Sequence, residues 1–337
     1  MQVYRLPKAE GIDCLELQQA ETPRPGRGQV LVRMHAASLN YRDLMVARGT
    51  YARGRVPPNL VPLSDGAGEV VETGPDVTRV AVGDRVAGIF MQSWIAGEAT
   101  DADAASALGG GIDGVLAEYV LFEQQGLVKL PENFSFEEGA TLPCAAVTAW
   151  NALFAGRPLT AGETVLVLGT GGVAIFALQF AVAAGARVIV TSSSDEKLQR
   201  ARQLGADISI NYRETPEWHQ PVLEATEGRG ADHTIEVGGS GTLQRSIAAT
   251  RRGGEVALIG VLTGRNEINP MGIMTRGVSV RGIYVGSRAM FEAMNRALYV
   301  HRLHPVIDRK FPFAEAKAAY RHLESQQHFG KVVIRSP

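Results

Sequence analysis

Apolar residues run without a break over Val165-Leu166-Val167-Leu168, after the β-branched Thr164. That is the length and pattern of a strand buried on both faces. After a glycine-rich turn they recur at Ile175, Leu178, Phe180, Ala181 and Val182, in a helical pattern. A second strand pattern, Arg187-Val188-Ile189-Val190-Thr191, follows the Ala184-Gly185 break, which completes a strand–helix–strand unit. Further strands are predicted at about 206–210, 233–237, 255–260 and 277–284, with helices between them. Six strands with crossover helices predict a doubly wound α/β parallel sheet in the order 3-2-1-4-5-6.

The flanking segments read differently. Gln29 to Met34 alternates as a half-buried strand does, and Ala36 to Asp43, with its short polar side chains, suits a loop or helix start. Strands at Gly68–Val71 and Asp84–Gly88 sit among many Gly and Asp residues. That turn chemistry predicts a small, strongly coiled, barrel-like sheet. Residues 97–114, GEATDADAASALGGGIDG, are rich in small residues and predict a surface lobe. A helix is predicted from Cys144-Ala145-Ala146 through Trp150 and Leu153. Beyond Ser287 come a helix (Met290, Met294, Ala297, Leu298), a second over Phe313–Glu324 and a strand at Gly330–Ile334. This tail is too short for a domain of its own and is expected to complete the N-terminal one. The expected division is residues 1–145 with 286–337, and 146–285.

The 337 residues are enough for two domains, and 45% hydrophobic with 20% charged is a globular balance. The net charge of −1 gives no electrostatic reason to expect nucleic acid or an anionic membrane. No apolar run has the length of a membrane span, and the N-terminus lacks the shape of a signal peptide. Two cysteines, Cys14 and Cys144, form no disulfide framework, so a reducing cytoplasm is expected.

Gly169, Gly171 and Ala174 form a Gly-x-Gly-x-x-Ala pattern between the first strand and its helix. Gly169 suits the tight turn, Gly171 lets a pyrophosphate approach the backbone, and Ala174 allows close helix–strand packing. Free N–H groups at the helix start then face the phosphates. About 20 residues on, an acid would bind the ribose 2′-hydroxyl of NAD. This chain has Thr191-Ser192-Ser193-Ser194 instead, followed by Lys197, with Tyr212 and Arg213 ending the next strand. Hydroxyls with a cation suit a 2′-phosphate, so NADP(H) is expected. Asp195 works against that reading, and Ser193-x-x-Glu196 also fits a helix capping box.

On Asn40-x-x-Asp43, Ser64 to Val70, Gly83-Asp84-Arg85-Val86, Leu142-Pro143-Cys144 through Thr148-Ala149-Trp150, the glycine fingerprint and Gly330-Lys331-Val332-Val333, the chain resembles the medium-chain dehydrogenase/reductase superfamily over nearly its whole length. The resemblance implies a GroES-like, β-rich catalytic domain beside a Rossmann cofactor domain, with the active site in the cleft between them. The zinc alcohol dehydrogenases of that superfamily hold a catalytic metal at positions matching Asn40, Ser64 and Cys144, and only Cys144 is a ligand type. Asp65 could be recruited, but the two together still fall short of three ligands. The four cysteines of the family's structural zinc have no counterpart in 97–114. The resemblance therefore points to the zinc-free quinone oxidoreductase-like branch, with no metal and with Cys144 as a small buried residue.

That resemblance implies substrate contacts at Asn40, Tyr41 and Tyr51, with Asp43 orienting them. It implies an NADP(H) site built from Thr148, Gly169, Gly171, Gly172, Val173, Ser192, Lys197, Tyr212, Val237, Gly260 and Val285, with Lys331 near the pyrophosphate. Asn40 also fits a plain helix cap, and the tyrosines fit simple packing. The expected function is hydride transfer from NADPH to a quinone or α,β-unsaturated carbonyl. Two alternatives stand beside it: an NADP-dependent alcohol dehydrogenase or aldehyde reductase, and a nucleotide-binding protein without turnover. The 97–114 lobe departs from short quinone oxidoreductases, which leaves the substrate open. Val278–Val285, long and free of proline at the sheet edge, is expected to pair with a second chain in a homodimer, unless Arg281 guards it.

Overall fold

The computed structural model describes residues 1–51, 56–263 and 266–337. They form two compact units, Thr148–Tyr284 and Met1–Val147 with Val285–Pro337.

The unit 148–284 carries six parallel strands: Thr164–Leu168, Arg187–Ser192, Ile208–Asn211, Ala231–Glu236, Thr250–Leu258 and Ser279–Gly282. Numbered in that chain order, they lie 3-2-1-4-5-6 across the sheet. All five residues of Thr164–Leu168 are buried, as a central strand covered on both faces requires. Helices cross between the strands, the first being Gly172–Ala183. Trp218, Val222, Leu166 and Ile189 share one core cluster. Leu243, Ile247 and Val256 form another.

In the other unit, a seven-stranded sheet is built around Gln29–Leu39. That strand pairs antiparallel with Asp65–Thr73 on one side and with Lys331–Arg335 on the other. Lys331–Arg335 in turn pairs parallel with Ile307–Pro312. Tyr119–Glu123, Arg85–Gly88 and Leu127–Lys129 complete the sheet. The C-terminal tail thus belongs to this unit. Its helix Ala316–Glu324 buries Ala316, Ala319, Tyr320 and Leu323 in the same core as Val32, Met34 and Leu44.

Several expectations need correction. Ala36–Leu39 is strand, and the helix begins only at Tyr41. The reason is that Ser38 and Leu39 are ladder partners of Asp65 and Val332. Ile307–Pro312 was not expected as a strand, since it buries only Phe311 and shows no alternation. The outer strand of the parallel sheet is Ser279–Gly282, shorter than 278–285. Residues 97–114 do not lie wholly on the surface. A short helix, Asp101–Ala105, is exposed, but Ala107 and Leu108 are buried.

Candidate active site

Two groups of residues carry the candidate chemistry, one in each unit.

In the parallel-sheet unit, the turn after Thr164–Leu168 has Gly169 at φ +78°, a conformation open to glycine without strain. Gly171 precedes the helix Gly172–Ala183, and no side chain caps its first turn. The N–H groups around Gly172 and Val173 are therefore placed to receive an anion. Ala174 is buried against the sheet, as the fingerprint requires. Two strands along, Gly260 approaches Val237 so closely that a Cβ on Gly260 would overlap the Val237 carbonyl. Thr148 is buried, and Val285, at the start of the other unit, is buried at φ +53°.

Ser192 ends the second strand, buried, with its Oγ accepting the Ser194 N–H at 3.4 Å. The helix then runs Asp195–Gln203 with Ser194 as its cap, its Oγ accepting the Lys197 N–H at 3.4 Å. The capping box expected from Ser193 to Glu196 is not formed, because the helix begins one residue later. Lys197 is half-buried, and Tyr212 is exposed beyond the neighbouring strand. Asp195, the acid that argued against a 2′-phosphate, accepts a hydrogen bond from Asn211 Nδ2 at 2.9 Å. The turn and the uncapped helix start fit the pyrophosphate of a nicotinamide dinucleotide.

The other group surrounds the end of Gln29–Leu39. Asn40 leaves the strand and caps Tyr41–Ala47, and the Asp43 carboxylate accepts the Asn40 N–H at 2.7 Å. Asn40 thus stands at the N-cap position, held there by Asp43, with its Oδ1 turned to Lys331. Burial pushes the Asp43 carboxyl up to about 7, against the pull of Arg42. Tyr41 is half-buried against the core. The Arg42 guanidinium lies between the Tyr51 ring at 4.6 Å and the Phe90 ring at 4.4 Å, and donates to the Leu108 carbonyl at 2.7 Å. This is how the 97–114 lobe is seated. Gly110 packs against the same guanidinium, and a Cβ there would overlap Arg42 Nη2.

Lys331 was expected beside a pyrophosphate. It is 2% exposed, and its ammonium donates to the Leu39 carbonyl at 2.7 Å and to Asn40 Oδ1 at 2.6 Å. Asp65, fully buried, lies 3.6 Å from it. The Asp65 carboxylate also accepts from Ser64 Oγ at 2.7 Å and from the Cys144 N–H at 3.3 Å. Cys144 is thus tied to the cluster through its backbone, while burial, reinforced by Asp65, pushes its thiol well above the ordinary range. The Tyr320 hydroxyl is buried close by and finds no hydrogen-bond partner among the described residues.

Sequence reasoning missed the grouping of Lys331, Asn40 and Asp65, and the role of Arg42. Lys331 stands 291 positions from Asn40, so no local pattern joins them. What joins them is register: Val332 pairs with Leu39, which sets Lys331 beside Asn40, and Asp65 pairs with Ser38 across the same strand.

A catalytic zinc does not fit these donors. Asn40 Oδ1 already receives an ammonium, Ser64 donates to Asp65, and Cys144 alone of the three is a customary zinc ligand. Among the described residues, no three His, Cys, Asp or Glu side chains are grouped to hold a metal ion.

Comparison with known proteins agrees with this architecture. Residues 26–132 match the alcohol dehydrogenase GroES-like domain, and residues 172–299 match the zinc-binding dehydrogenase model. A zinc-type alcohol dehydrogenase-like protein of Schizosaccharomyces pombe is 47% identical over 333 residues, 96% of each chain. A quinone oxidoreductase of Pongo abelii is 30% identical over 331 residues, 96% of this chain and 94% of its own. Among solved structures, a candidate alcohol dehydrogenase of Sinorhizobium meliloti 1021 superposes with a TM-score of 0.93 at 39% identity, covering 99% of this chain and 98% of its own. A mycobacterial protein solved in complex with NADPH gives 0.83 at 25% identity, covering 99% of both. With a GroES-like unit, a Rossmann-type unit and relatives of this closeness, the chain belongs to the medium-chain dehydrogenase/reductase superfamily and is an oxidoreductase of its alcohol dehydrogenase and quinone oxidoreductase family.

Proposed function

We propose that the chain is a zinc-independent, NADPH-dependent reductase of quinones or α,β-unsaturated carbonyls. The observation that carries this reading is the buried ammonium of Lys331 between Asn40 and Asp65: it occupies the oxygen of Asn40, one of the three positions that match metal ligands in the zinc relatives. With no Lewis acid at the substrate oxygen, developing negative charge must be met by hydrogen-bond donors. Asn40 supplies one: its Nδ2 is buried and has no hydrogen-bond partner among the described residues. Tyr51, half-buried with its ring against Arg42, supplies a second polar group, and Tyr41 a third. Asp43 orients the donor by holding the Asn40 backbone.

NADPH, when bound, supplies the hydride. Ser192, Lys197 and Tyr212 hold the 2′-phosphate, and the turn Gly169–Val173 receives the pyrophosphate, with Thr148, Val237 and Gly260 lining the rest of the dinucleotide. Asn211, by bonding the Asp195 carboxylate, lessens the repulsion that acid would exert on a 2′-phosphate. The NADPH complex of a structural relative supports the same choice.

The test is cofactor oxidation across quinones, enones, saturated aldehydes and alcohols, before and after exhaustive chelation. Activity on quinones or enones that survives chelation and prefers NADPH is expected. Turnover confined to alcohols and abolished by chelation would overturn the proposal.

We infer also that the chain is a homodimer. Ser279–Gly282 is the outermost strand of its sheet, and Arg281 does not guard it. Its guanidinium turns inward to Glu255 Oε1 at 3.1 Å and Asn151 Oδ1 at 3.0 Å. The helix before it, Met271–Arg276, exposes Met271 and Met274, and Tyr284 is exposed just after it. An open edge beside exposed apolar side chains favours pairing with a second copy.

A further inference from the structure

We propose that Lys331 is a positioning residue that fixes which end of the Asn40 carboxamide faces the substrate. The inference rests on the reading of Asn40 as a substrate-facing donor and deepens it.

A carboxamide has an accepting end and a donating end of nearly equal size, so a half-turn exchanges them. An ammonium can only donate. Lys331 Nζ, 2.6 Å from Asn40 Oδ1, therefore admits one orientation, with oxygen towards Lys331 and the Nδ2 group directed the other way. In that orientation Nδ2 is the buried atom left without a hydrogen-bond partner among the described residues. A buried, unsatisfied donor is costly for the free protein and suits a ligand that brings an acceptor. The reversed amide would turn its oxygen to a carbonyl substrate and repel it. The ammonium also polarises the amide it touches, which strengthens the opposite N–H bonds as donors.

Such a cation must itself be held and neutralised. The second bond to the Leu39 carbonyl fixes the ammonium at the strand end, and Asp65 compensates its charge from 3.6 Å. Ser64 Oγ and the Cys144 N–H fix Asp65 in turn. Lys331 and Asp65 enter from the two strands that flank Gln29–Leu39, so the sheet register sets the geometry with little freedom.

The experiment compares Asn40→Ala, the neutral pair Lys331→Met/Asp65→Asn, and the three changes combined, in the full-length chain. The neutral pair is used because Lys331→Met alone would leave Asp65 buried and unpaired. Each protein is assayed with 1,4-benzoquinone and 2-hexenal, and NADPH affinity is read from the quenching of protein fluorescence. The neutral pair should lower kcat/KM at least about tenfold, as loss of a transition-state donor does. It should leave the NADPH Kd within about twofold of the parent, and should add nothing to Asn40→Ala.

A second readout needs no turnover. In cofactor-free protein with 15N-labelled asparagine, the Asn40 side-chain amide resonances should move in the neutral pair. Multiplicative losses, an unmoved Asn40 resonance, or an NADPH Kd raised tenfold with kcat intact would each overturn the proposal. The last of these would return Lys331 to a phosphate-binding role. Full activity in Asn40→Ala would fell the preceding reading of Asn40, and this inference with it.

Discussion

Asp43 closes back on Asn40: its Oδ2 accepts the Asn40 backbone N–H at 2.7 Å, inside the fold, where Asp43 is 1% exposed. Desolvation raises that carboxyl from 3.8 to about 7. Between those values the folded chain holds a proton that the unfolded chain has released. Stability from this group is therefore greatest at acid pH and falls as pH rises from about 4 through about 7, by at most about 4 kcal/mol. Asp43→Asn keeps an acceptor for the Asn40 N–H and removes the titration. Urea unfolding at pH 5 and pH 8 should show the parent losing stability at the higher pH relative to Asp43→Asn. Parallel pH dependence in the two proteins would show that Asp43 is ionised in the fold at pH 5.

Lys197, on the helix that follows Ser192, is the cation we propose for the 2′-phosphate. Lys197→Ala should weaken NADPH about 10- to 100-fold and leave NADH nearly unchanged, since a charge-assisted bond contributes about 1.5–3 kcal/mol. Isothermal titration with both cofactors measures the ratio. Equal losses would remove Lys197 from that site.

Gly260 lies where an added Cβ overlaps the Val237 carbonyl, and backbone cannot yield as a side-chain tip does. Gly260→Ala should lower the thermal midpoint by several degrees and weaken NADPH and NADH alike, because the strain falls on both neighbours of the proposed cofactor site. A midpoint within a degree of the parent would show that the two strand ends separate freely.

The open edge at Ser279–Gly282 is tested at Gly282, where a new Cβ would meet no heavy atom within 4 Å. Gly282→Glu should leave the fold intact and convert a dimer to a 36.1 kDa monomer in sedimentation at micromolar concentration. Ile283 is a poorer probe, since its N–H already donates to Leu258 within the sheet at 2.9 Å. A parent chain that sediments as a monomer would end the dimer proposal.

The six parallel strands and the glycine turn were legible in the sequence because each depends on local pattern, and the strand order followed from the doubly wound fold which that pattern matches. Strands buried on both faces write themselves as continuous apolar runs, and Gly169 marks the one position at that turn with φ +78°. Asn40 and Asp43 were legible only through the resemblance to a known family, although the bond between them spans four residues. Elements with weak burial were not: Ile307–Pro312 is a strand because Lys331–Arg335 offers it a partner. The cap falls at Ser194 in place of Ser193 because the helix starts at Asp195, a choice between adjacent serines that the sequence pattern leaves open. The pairing of Lys331 with Asn40 and Asp65 belongs to tertiary structure alone. Sequence period tells a residue which face it occupies, but which charge it meets there depends on strand register between segments hundreds of residues apart.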